Sequence, residues 1–231
     1  MTRIIVALDY HDRLAALHLV DQLEPGRCRL KVGKAMFTRF GPGFVEALQG
    51  RGFDVFLDLK FHDIPSTAAA AIDAAADLGV WMVNVHVSGG RRMLAACAQQ
   101  LAARAKSDRP LLYGVTVLTS LTDMEMRELG WQDSPEQMVE RMAGLARETG
   151  LDGVVCSARE VASLRNQFGP DFGLVTPGIR PASAAQGDQQ RFMTPGTALA
   201  AGSDYLVIGR PITRAEDPME ALVRIEAEIT G

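Results

Sequence analysis

The chain has 231 residues, of which 47% are hydrophobic and 23% charged, so it can bury a sizeable core and does not have the composition of a disordered protein. Its formal net charge of −4 argues against a general electrostatic attraction to nucleic acid or to an anionic membrane surface. Small molecules and other protein chains are therefore the expected partners, and an anionic ligand needs a local binding site.

The cysteines and the first residues bear on the cellular compartment. Cys28, Cys97 and Cys156 are widely spaced, and each lies in an apolar run. An odd number at such spacing indicates reduced core cysteines rather than a disulfide framework, which predicts a cytoplasmic protein. The first apolar stretch, residues 4–8, is too short for the core of a signal peptide or for a membrane span, so we expect neither.

Eight short apolar or β-branched runs recur along the chain, and helical patterns separate most of them. Several runs are almost continuously apolar, as in parallel strands that are covered on both faces. The predicted strands are IIVAL (4–8), CRLKVG (28–33), DVFLDLK (54–60), WMVNVHV (81–87), LLYGVTVLT (111–119), GVVCS (153–157), GLVTPGI (173–179) and YLVIG (205–209).

The segments between these runs predict helices. In DRLAALHLVDQL, Asp12 is a plausible N-cap, and the expected apolar stripe consists of Leu14, Leu17, Val20 and Leu23. A second helix is predicted to begin at Pro65, because proline suits the first helical position, and to continue through an Ala-rich stretch. Residues 120–150 predict two helical segments that are separated near 130–135.

Eight strand–helix units in this length predict an α/β protein with a single (β/α)8 TIM barrel over residues 1–231. A doubly wound open sheet is the alternative, although such sheets more often carry about five to seven strands. The connection 180–195 has no periodicity, and a long segment of this kind often covers an active site. We therefore expect a lid there, and no linker or domain boundary elsewhere.

Polar and charged residues occur where several predicted strands end. In a barrel, the carboxyl ends of the strands meet at one mouth, and the reactive groups lie there. One such residue is weak evidence, since a lone charge at a strand end is usually a solvated rim residue. The residues that we expect to converge at the mouth are Asp9, Lys31, Asp58, Lys60, His86, Thr119 and Arg210.

The third predicted strand carries the densest charge. Asp58 and Lys60 are two residues apart, so their side chains project from the same face. A lysine between carboxylates is held in its charged form, which disfavours a Schiff-base nucleophile and predicts that Lys60 donates a proton. Asp63 lies beyond the strand and is either a site residue or a cap of the helix at Pro65. Because neighbouring lysines repel a divalent ion, we expect no metal.

Two glycine-containing turns follow the last two predicted strands, TPGIRP (176–181) and IGRPI (208–212). Barrels often bind phosphate at this position, because backbone N–H groups point at the anion while an arginine binds two of its oxygens. Gly209 and Arg210 are therefore candidate phosphate-binding residues. Each glycine alone is equally explained by a tight turn.

Several motifs occur together in a fixed order: Asp58-x-Lys60-x-x-Asp63, KVG from Lys31, VTVLTS (115–120), TPGIRP, GDQ (187–189) and IGRP. The first motif is shared by several phosphate-binding decarboxylase barrels, and the ordered set is more specific. Over essentially the whole chain, this set resembles the bacterial orotidine 5′-phosphate decarboxylase family.

The resemblance implies a cofactor-free homodimer that converts orotidine 5′-phosphate to UMP and CO2 in pyrimidine synthesis. It implies that Lys60 protonates C6 of the pyrimidine, that Asp58 faces the departing carboxylate, and that Asp63 reaches across the dimer interface into the partner's active site. Lys31 belongs to this catalytic set and, with Asp9, binds the ribose hydroxyls. The other implied substrate-binding residues are Ile64, Thr67, Thr119, Arg180, Gln189, Gly209 and Arg210.

Two other functions remain open on these residues. A sister decarboxylase could act on a sugar acid phosphate through a metal-stabilised enediolate, with the same Asp-x-Lys-x-x-Asp positions in other roles. In the resemblance, Gln189 on the lid bridges phosphate and base, which favours a nucleotide over a sugar acid. The second possibility is a barrel that binds phosphorylated metabolites without turning them over.

Overall fold

The eight predicted strands form a closed parallel barrel with helices around it. The computed structural model describes residues 2–181 and 193–230. Neighbouring strands pair in chain order, and Ile4 pairs with Leu206 to close the barrel between the first and last strands. The predicted (β/α)8 barrel is therefore confirmed, and the open sheet is wrong. Its extent as one domain over residues 1–231 stays a prediction.

Each strand lies within, or one residue beyond, the run that predicts it. The fifth strand ends at Val115, four residues before the end of its run, because its neighbour pairs with it only as far as Val155. The strands are β1 Ile4–Leu8, β2 Arg29–Gly33, β3 Val55–Phe61, β4 Met82–His86, β5 Leu111–Val115, β6 Gly153–Val155, β7 Gly173–Pro177 and β8 Tyr205–Ile208.

The helices follow the strands on the outside of the barrel. None in the described part of the chain is long and apolar enough to cross a membrane. The helices are α1 Arg13–Val20, α2 Lys34–Phe40, α3 Pro42–Gln49, α4 Pro65–Asp77, α5 Gly90–Ala102, α6 Asp123–Glu128, α7 Pro135–Glu148, α8 Val161–Phe168, α9 Pro195–Ala200, α10 Arg210–Thr213 and α11 Pro218–Thr230.

The first helix confirms one prediction and corrects another. The Asp12 carboxylate accepts a hydrogen bond from the Ala15 N–H at 2.8 Å and caps α1 as predicted. Leu14, which was expected on the apolar stripe, is 76% exposed. The rest of the predicted stripe is confirmed, because Val20 and Leu23 are buried and Leu17 packs partly buried against the core. The helix also buries Ala16 and Leu19, whereas Leu14 projects from the other side.

Alternation along the strands separates two cores. Residues such as Ile4 and Val6 face outward and pack under the helices, while Ile5 and Ala7 face the barrel interior. The interior cluster ends below the carboxyl end of the barrel, where the next inward positions on β3 and β4 are Asp58 and Asn84. Its buried members are Ile5, Ala7, Phe56, Met82, Tyr113, Val175 and Val207.

A stacked arginine closes the opposite end of the barrel. The guanidinium carbon of Arg29 lies 4.1 Å from the ring centroid of Trp81, and Trp81 contacts Tyr205 edge to face at 5.0 Å. Arg29 also donates hydrogen bonds to the Asp54 carboxylate and to the Thr2 carbonyl. Cation–π stacking and these hydrogen bonds hold the charge at this end of the interior.

Two glycines make room for the largest side chain in the interior. Gly153 on β6 pairs with Gly173 on β7, and both lie against Tyr113. A Cβ at Gly153 would collide with the Gly173 carbonyl oxygen and would lie 2.6 Å from Cε1 of Tyr113. Neither the ring nor the neighbouring strand can move away in a packed barrel, so both positions require glycine.

We predict that Gly153→Ala lowers the free energy of unfolding by about 1–3 kcal/mol, because the added methyl group overpacks the barrel interior. Gly43→Ala is the matched control, since a Cβ at this exposed position in α3 meets nothing within 4 Å. Its stability should stay within about 1 kcal/mol of wild type. Urea unfolding measures both, and equal stabilities for the two variants would contradict the packing argument.

Candidate active site

An irregularity in β3 arranges the side chains at the mouth of the barrel. Leu57 pairs with Val83, and Phe61 pairs with Val85. Between these two pairs β3 has more residues than β4, and the extra residues form a β-bulge. Lys60 lies in the bulge with a φ of 51° and is the one non-glycine residue with positive φ in the described ranges. Such conformations are disfavoured and persist only where the surroundings hold them.

Asp58 is the centre of a polar network on three neighbouring strands. Its Oδ1 lies 2.5 Å from Nζ of Lys60, and its Oδ2 lies 3.2 Å from Nζ of Lys31. The side-chain amide of Asn84 donates a further hydrogen bond to Oδ1 at 2.7 Å. The structure therefore brings Lys31, Asp58 and Lys60 together as predicted, and the Asp58 carboxylate contacts both ammonium groups.

The charge state of Asp58 follows from two opposing effects. Burial raises the pKa of this carboxyl group, which is 8% exposed. The positive charges of Lys31 and Lys60, with the hydrogen bonds from Lys60 and Asn84, lower the pKa by more, so it lies below its usual value. Asp58 is thus ionised at neutral pH, and the two ammonium groups leave the cluster with an excess of positive charge.

Asn84 is a member of the site that sequence reasoning missed. It is fully buried, and its Oδ1 accepts a hydrogen bond from the backbone N–H of Lys60 at 2.7 Å. The sequence contained one indication of this residue, since Asn84 is a single amide in the apolar run WMVNVHV. It lies two residues before His86 and therefore on the same face of the strand. A buried polar side chain in such a run needs partners, and here the partners are the charged groups themselves.

His86, the next residue on that face, is a neutral neighbour of the cluster. Burial lowers its pKa to about 4, with help from the nearby charges of His62, Lys34 and Lys60. Its ring centroid lies 5.6 Å from that of His62. Residues 2–181 and 193–230 contain no group of three or more His, Cys, Asp or Glu side chains placed to hold a metal ion.

A cavity of about 220 Å3 opens beside the charged cluster. Its polar lining comes from Lys31, Asp58, Lys60 and Thr119, so Thr119 lies at the mouth as predicted, in the loop after β5. Such a cavity suits a flat ring with one polar edge. The rest of the lining is apolar: Phe56, Val115, Val117, Leu118, Val155, Cys156, Pro177 and Val207.

A second cavity, of about 280 Å3, lies at the ends of β7 and β8 and is rich in arginine. Arg180, Arg210 and Arg214 line it together with Pro211. Three guanidinium groups around one space favour an anion with several oxygens. Arg214 was missed in the sequence, where its only signal is a spacing of four residues from Arg210. Gly209, the predicted phosphate residue, precedes Arg210 as the N-cap of α10.

Asp9 lies at the same mouth. It follows β1 directly and is exposed. A Cβ placed on Gly33 would lie 3.6 Å from Nζ of Lys31 and 4.0 Å from Oδ1 of Asp9, so both side chains lie close to the end of β2. The prediction that Asp9 and Lys31 are neighbours therefore agrees with the geometry.

Asp63, Ile64 and Thr67 are exposed and are not brought to the charged cluster within the described part of the chain. Asp63 accepts a hydrogen bond from the Ile64 N–H at 2.7 Å, and the N-cap of α4 is Ile64 without a side-chain cap. The alternative that Asp63 caps this helix is therefore wrong. Gln189 and most of the predicted lid lie outside the described residues.

The comparisons with known proteins agree on one family. The model of the family described as "Orotidine 5′-phosphate decarboxylase / HUMPS family" matches residues 2–225. A protein of Escherichia fergusonii named orotidine 5′-phosphate decarboxylase is 61% identical over 228 residues, which are 99% of this chain and 93% of that protein.

Two solved structures are similar to this chain over nearly its whole length, and one of them has the same name as the relative above. The crystal structure of orotidine 5′-phosphate decarboxylase from Lactobacillus acidophilus superposes with a TM-score of 0.90 at 36% identity and covers 100% of both chains. An uncharacterized conserved protein from Geobacillus kaustophilus has a TM-score of 0.86 at 39% identity, over 98% of this chain and 100% of that one. This chain belongs to the orotidine 5′-phosphate decarboxylase / HUMPS family.

Proposed function

We propose that this protein is an orotidine 5′-phosphate decarboxylase that converts orotidine 5′-phosphate to UMP and CO2 in pyrimidine synthesis. The observation that carries the proposal is the Lys60 ammonium group, held 2.5 Å from the Asp58 carboxylate beside a largely apolar cavity. Relatives about 60% identical over nearly the whole chain have this name. The assignment therefore rests on site chemistry and on family membership together.

The reaction requires a cation at the carbon that loses CO2. When the bond from C6 to the carboxyl group breaks, its electron pair stays on C6 in an in-plane orbital that the ring π system cannot delocalise. Lys60 stabilises this pair by its charge and then gives C6 a proton, which leaves the amine neutral until it takes a proton from water. No electrons enter or leave, so the step needs no redox cofactor.

Asp58 acts mainly by positioning in this scheme. At contact, its charge would repel the substrate carboxylate by about 4 kcal/mol at an effective dielectric constant near 20. Enzymes lower barriers by about 8–23 kcal/mol, so this repulsion is a minority contribution. The larger share comes from an ammonium group that is already in place before the charge develops on C6.

The arginine-rich cavity is the proposed phosphate site. The phosphate would be bound by Arg180, Arg210 and the backbone at Gly209. The resemblance implies that Gln189 would also contact it, as a bridge between phosphate and base. Asp9 and Lys31 would bind the ribose hydroxyls, and Thr119 would contact the substrate from the other cavity. Binding energy from a phosphate far from C6 then holds the ring against Lys60.

We further propose a homodimer with shared active sites in the cytoplasm. Support comes from the surface after β3, where Ile64 is 64% exposed and Asp63 and Thr67 are exposed beside it. An exposed apolar side chain next to a site carboxylate suits a subunit interface that brings Asp63 to the partner's Lys60. The three cysteines are free and buried, as suits a reducing compartment.

The loss of absorbance of orotidine 5′-phosphate on adding the purified protein tests the function directly. We expect rapid turnover with UMP as the product, and the same rate after treatment with EDTA. The EDTA arm separates this reaction from that of a sister decarboxylase with a metal-stabilised enediolate. An unchanged spectrum in the presence of bound nucleotide would instead support a barrel that only binds phosphorylated metabolites, and would overturn the proposal.

We predict that Arg210→Ala weakens UMP binding at least tenfold and leaves uridine binding unchanged, because only UMP offers the phosphate to the guanidinium group. Calorimetry with both ligands measures the difference. Arg224→Ala is the matched control, since Arg224 is an exposed arginine on α11 that pairs with Glu220 at 3.4 Å. Equal losses for UMP and uridine would place Arg210 outside the phosphate site.

We predict that Lys60→Ala and Asp63→Ala are each inactive and that mixing them restores activity. If subunits exchange at random, half of the dimers are mixed, and one of the two sites in each carries both intact residues, so about a quarter of wild-type activity returns. Turnover is measured after co-refolding, with retained UMP binding by Lys60→Ala as the control for folding. Confirmed subunit exchange without recovery would place both residues in the same subunit's site.

A further inference from the structure

The buried amide of Asn84 has two partners, and both belong to the charged cluster. Asn84 is 0% exposed, so neither amide atom faces bulk solvent. The Oδ1 atom accepts the backbone N–H of Lys60 at 2.7 Å, and the Nδ2 atom donates to Oδ1 of Asp58 at 2.7 Å. Asn84 therefore links the backbone of one charged residue to the side chain of the other.

The bulge in β3 makes the first of these bonds necessary. Because Leu57 and Phe61 are the neighbouring residues that keep β4 partners, the N–H of Lys60 lies outside the regular ladder. A backbone N–H in a bulge of a barrel interior still requires an acceptor. The Asn84 carbonyl supplies it, and this bond supports the positive φ of 51° from which the Lys60 side chain turns toward Asp58.

The second bond sets the orientation of the carboxylate. Oδ1 of Asp58 receives both the Asn84 amide and the Lys60 ammonium, whereas Oδ2 faces the Lys31 ammonium at 3.2 Å. A neutral donor fits here, since it fixes the rotation of the carboxylate without adding a third positive charge to the cluster. An apolar residue of similar size would leave the Lys60 N–H without its acceptor.

From this geometry we propose that Asn84 is a positioning residue for the decarboxylation: it holds Lys60 and Asp58 in the one arrangement that presents the ammonium group to the reacting carbon. Asn84 acts through these two residues and does not line the cavity in the described structure. The inference rests on the proposed function, because its main readout is turnover of orotidine 5′-phosphate.

Three variants test the proposal. Asn84→Ala removes both hydrogen bonds, and Asn84→Leu removes both while it keeps a side chain of similar size in the buried position. Ser203→Ala is the control for loss of a buried polar contact, because Ser203 is 2% exposed and its hydroxyl lies 2.7 Å from that of Thr176, outside the residues that line the cavity.

A merely structural role would lower the stability of the protein, whereas a positioning role would lower kcat and leave the dissociation constant of UMP nearly unchanged. We expect kcat to fall at least tenfold in Asn84→Ala and in Asn84→Leu, since displacement of a reactive group by about 1 Å can cost two orders of magnitude. The dissociation constant of UMP should stay within threefold, because the phosphate and ribose contacts are intact. Ser203→Ala should keep kcat even if it melts at a lower temperature.

The outcomes separate the inference from the proposed function. A kcat within threefold of wild type in either Asn84 variant overturns the positioning role, and so does a parallel loss of kcat and UMP binding. If Asn84→Ala does not fold, Asn84→Leu decides by the same criteria. A wild-type protein that leaves orotidine 5′-phosphate unchanged overturns the proposed function instead.

Hydrogen exchange at the Lys60 amide, followed by NMR without substrate, tests the geometry independently of activity. Exchange should be slow in wild type and in Ser203→Ala, and at least tenfold faster in Asn84→Ala, where the acceptor is lost. Equal exchange rates in all three proteins would remove the structural basis of the inference, whatever the reaction is.

Discussion

The mouth of the barrel depends on one buried carboxylate between two ammonium groups. If Asp58 were absent, the like charges of Lys31 and Lys60 would lie close together without the carboxylate that pairs with both. If the lysines were absent, burial would favour the protonated form of Asp58. The three charged groups therefore hold one another in place, and the carboxylate fixes the position of the Lys60 ammonium group at the mouth of the barrel.

The barrel makes this arrangement possible because it supplies rigid walls at fixed spacing. Phe56, at the inward position before Asp58, pairs in register with Lys31 on the neighbouring strand, so its ring lies in the layer below Asp58, where the buried interior cluster begins. Water is excluded from below, which strengthens electrostatic interactions above that layer. The same close packing at Gly153 and Tyr113 leaves the interior little freedom to relax, so the charged side chains keep their positions.

Patterns that repeat along the chain were sufficient to predict the barrel, because each strand obeys the same alternation and each helix follows its strand. They also placed Lys31, Asp58 and Lys60 on one rim. The β3 bulge was not predictable, since a change of register depends on how two strands pair and not on either strand alone. Asn84 was missed for the same reason: its partners are on another strand. The exposed Leu14 shows that an apolar residue near a stripe need not belong to it.

The Asp-x-Lys-x-x-Asp motif alone does not identify the substrate, so the layout of the site bears on the choice between substrates. Lys60 is on β3 and Arg210 follows β8, which are three strands apart around the closed barrel, or about 14 Å along the rim at about 4.8 Å per strand. A substrate that reaches both must carry its phosphate well away from the reacting carbon. The space beside Lys60 is walled mainly by apolar side chains, which favours a planar base over a polyhydroxylated chain, because the hydroxyl groups of such a chain would find few partners there. The distance between Lys60 and Arg210 and the apolar lining of the cavity thus favour a nucleotide, independently of the shared Asp-x-Lys-x-x-Asp motif.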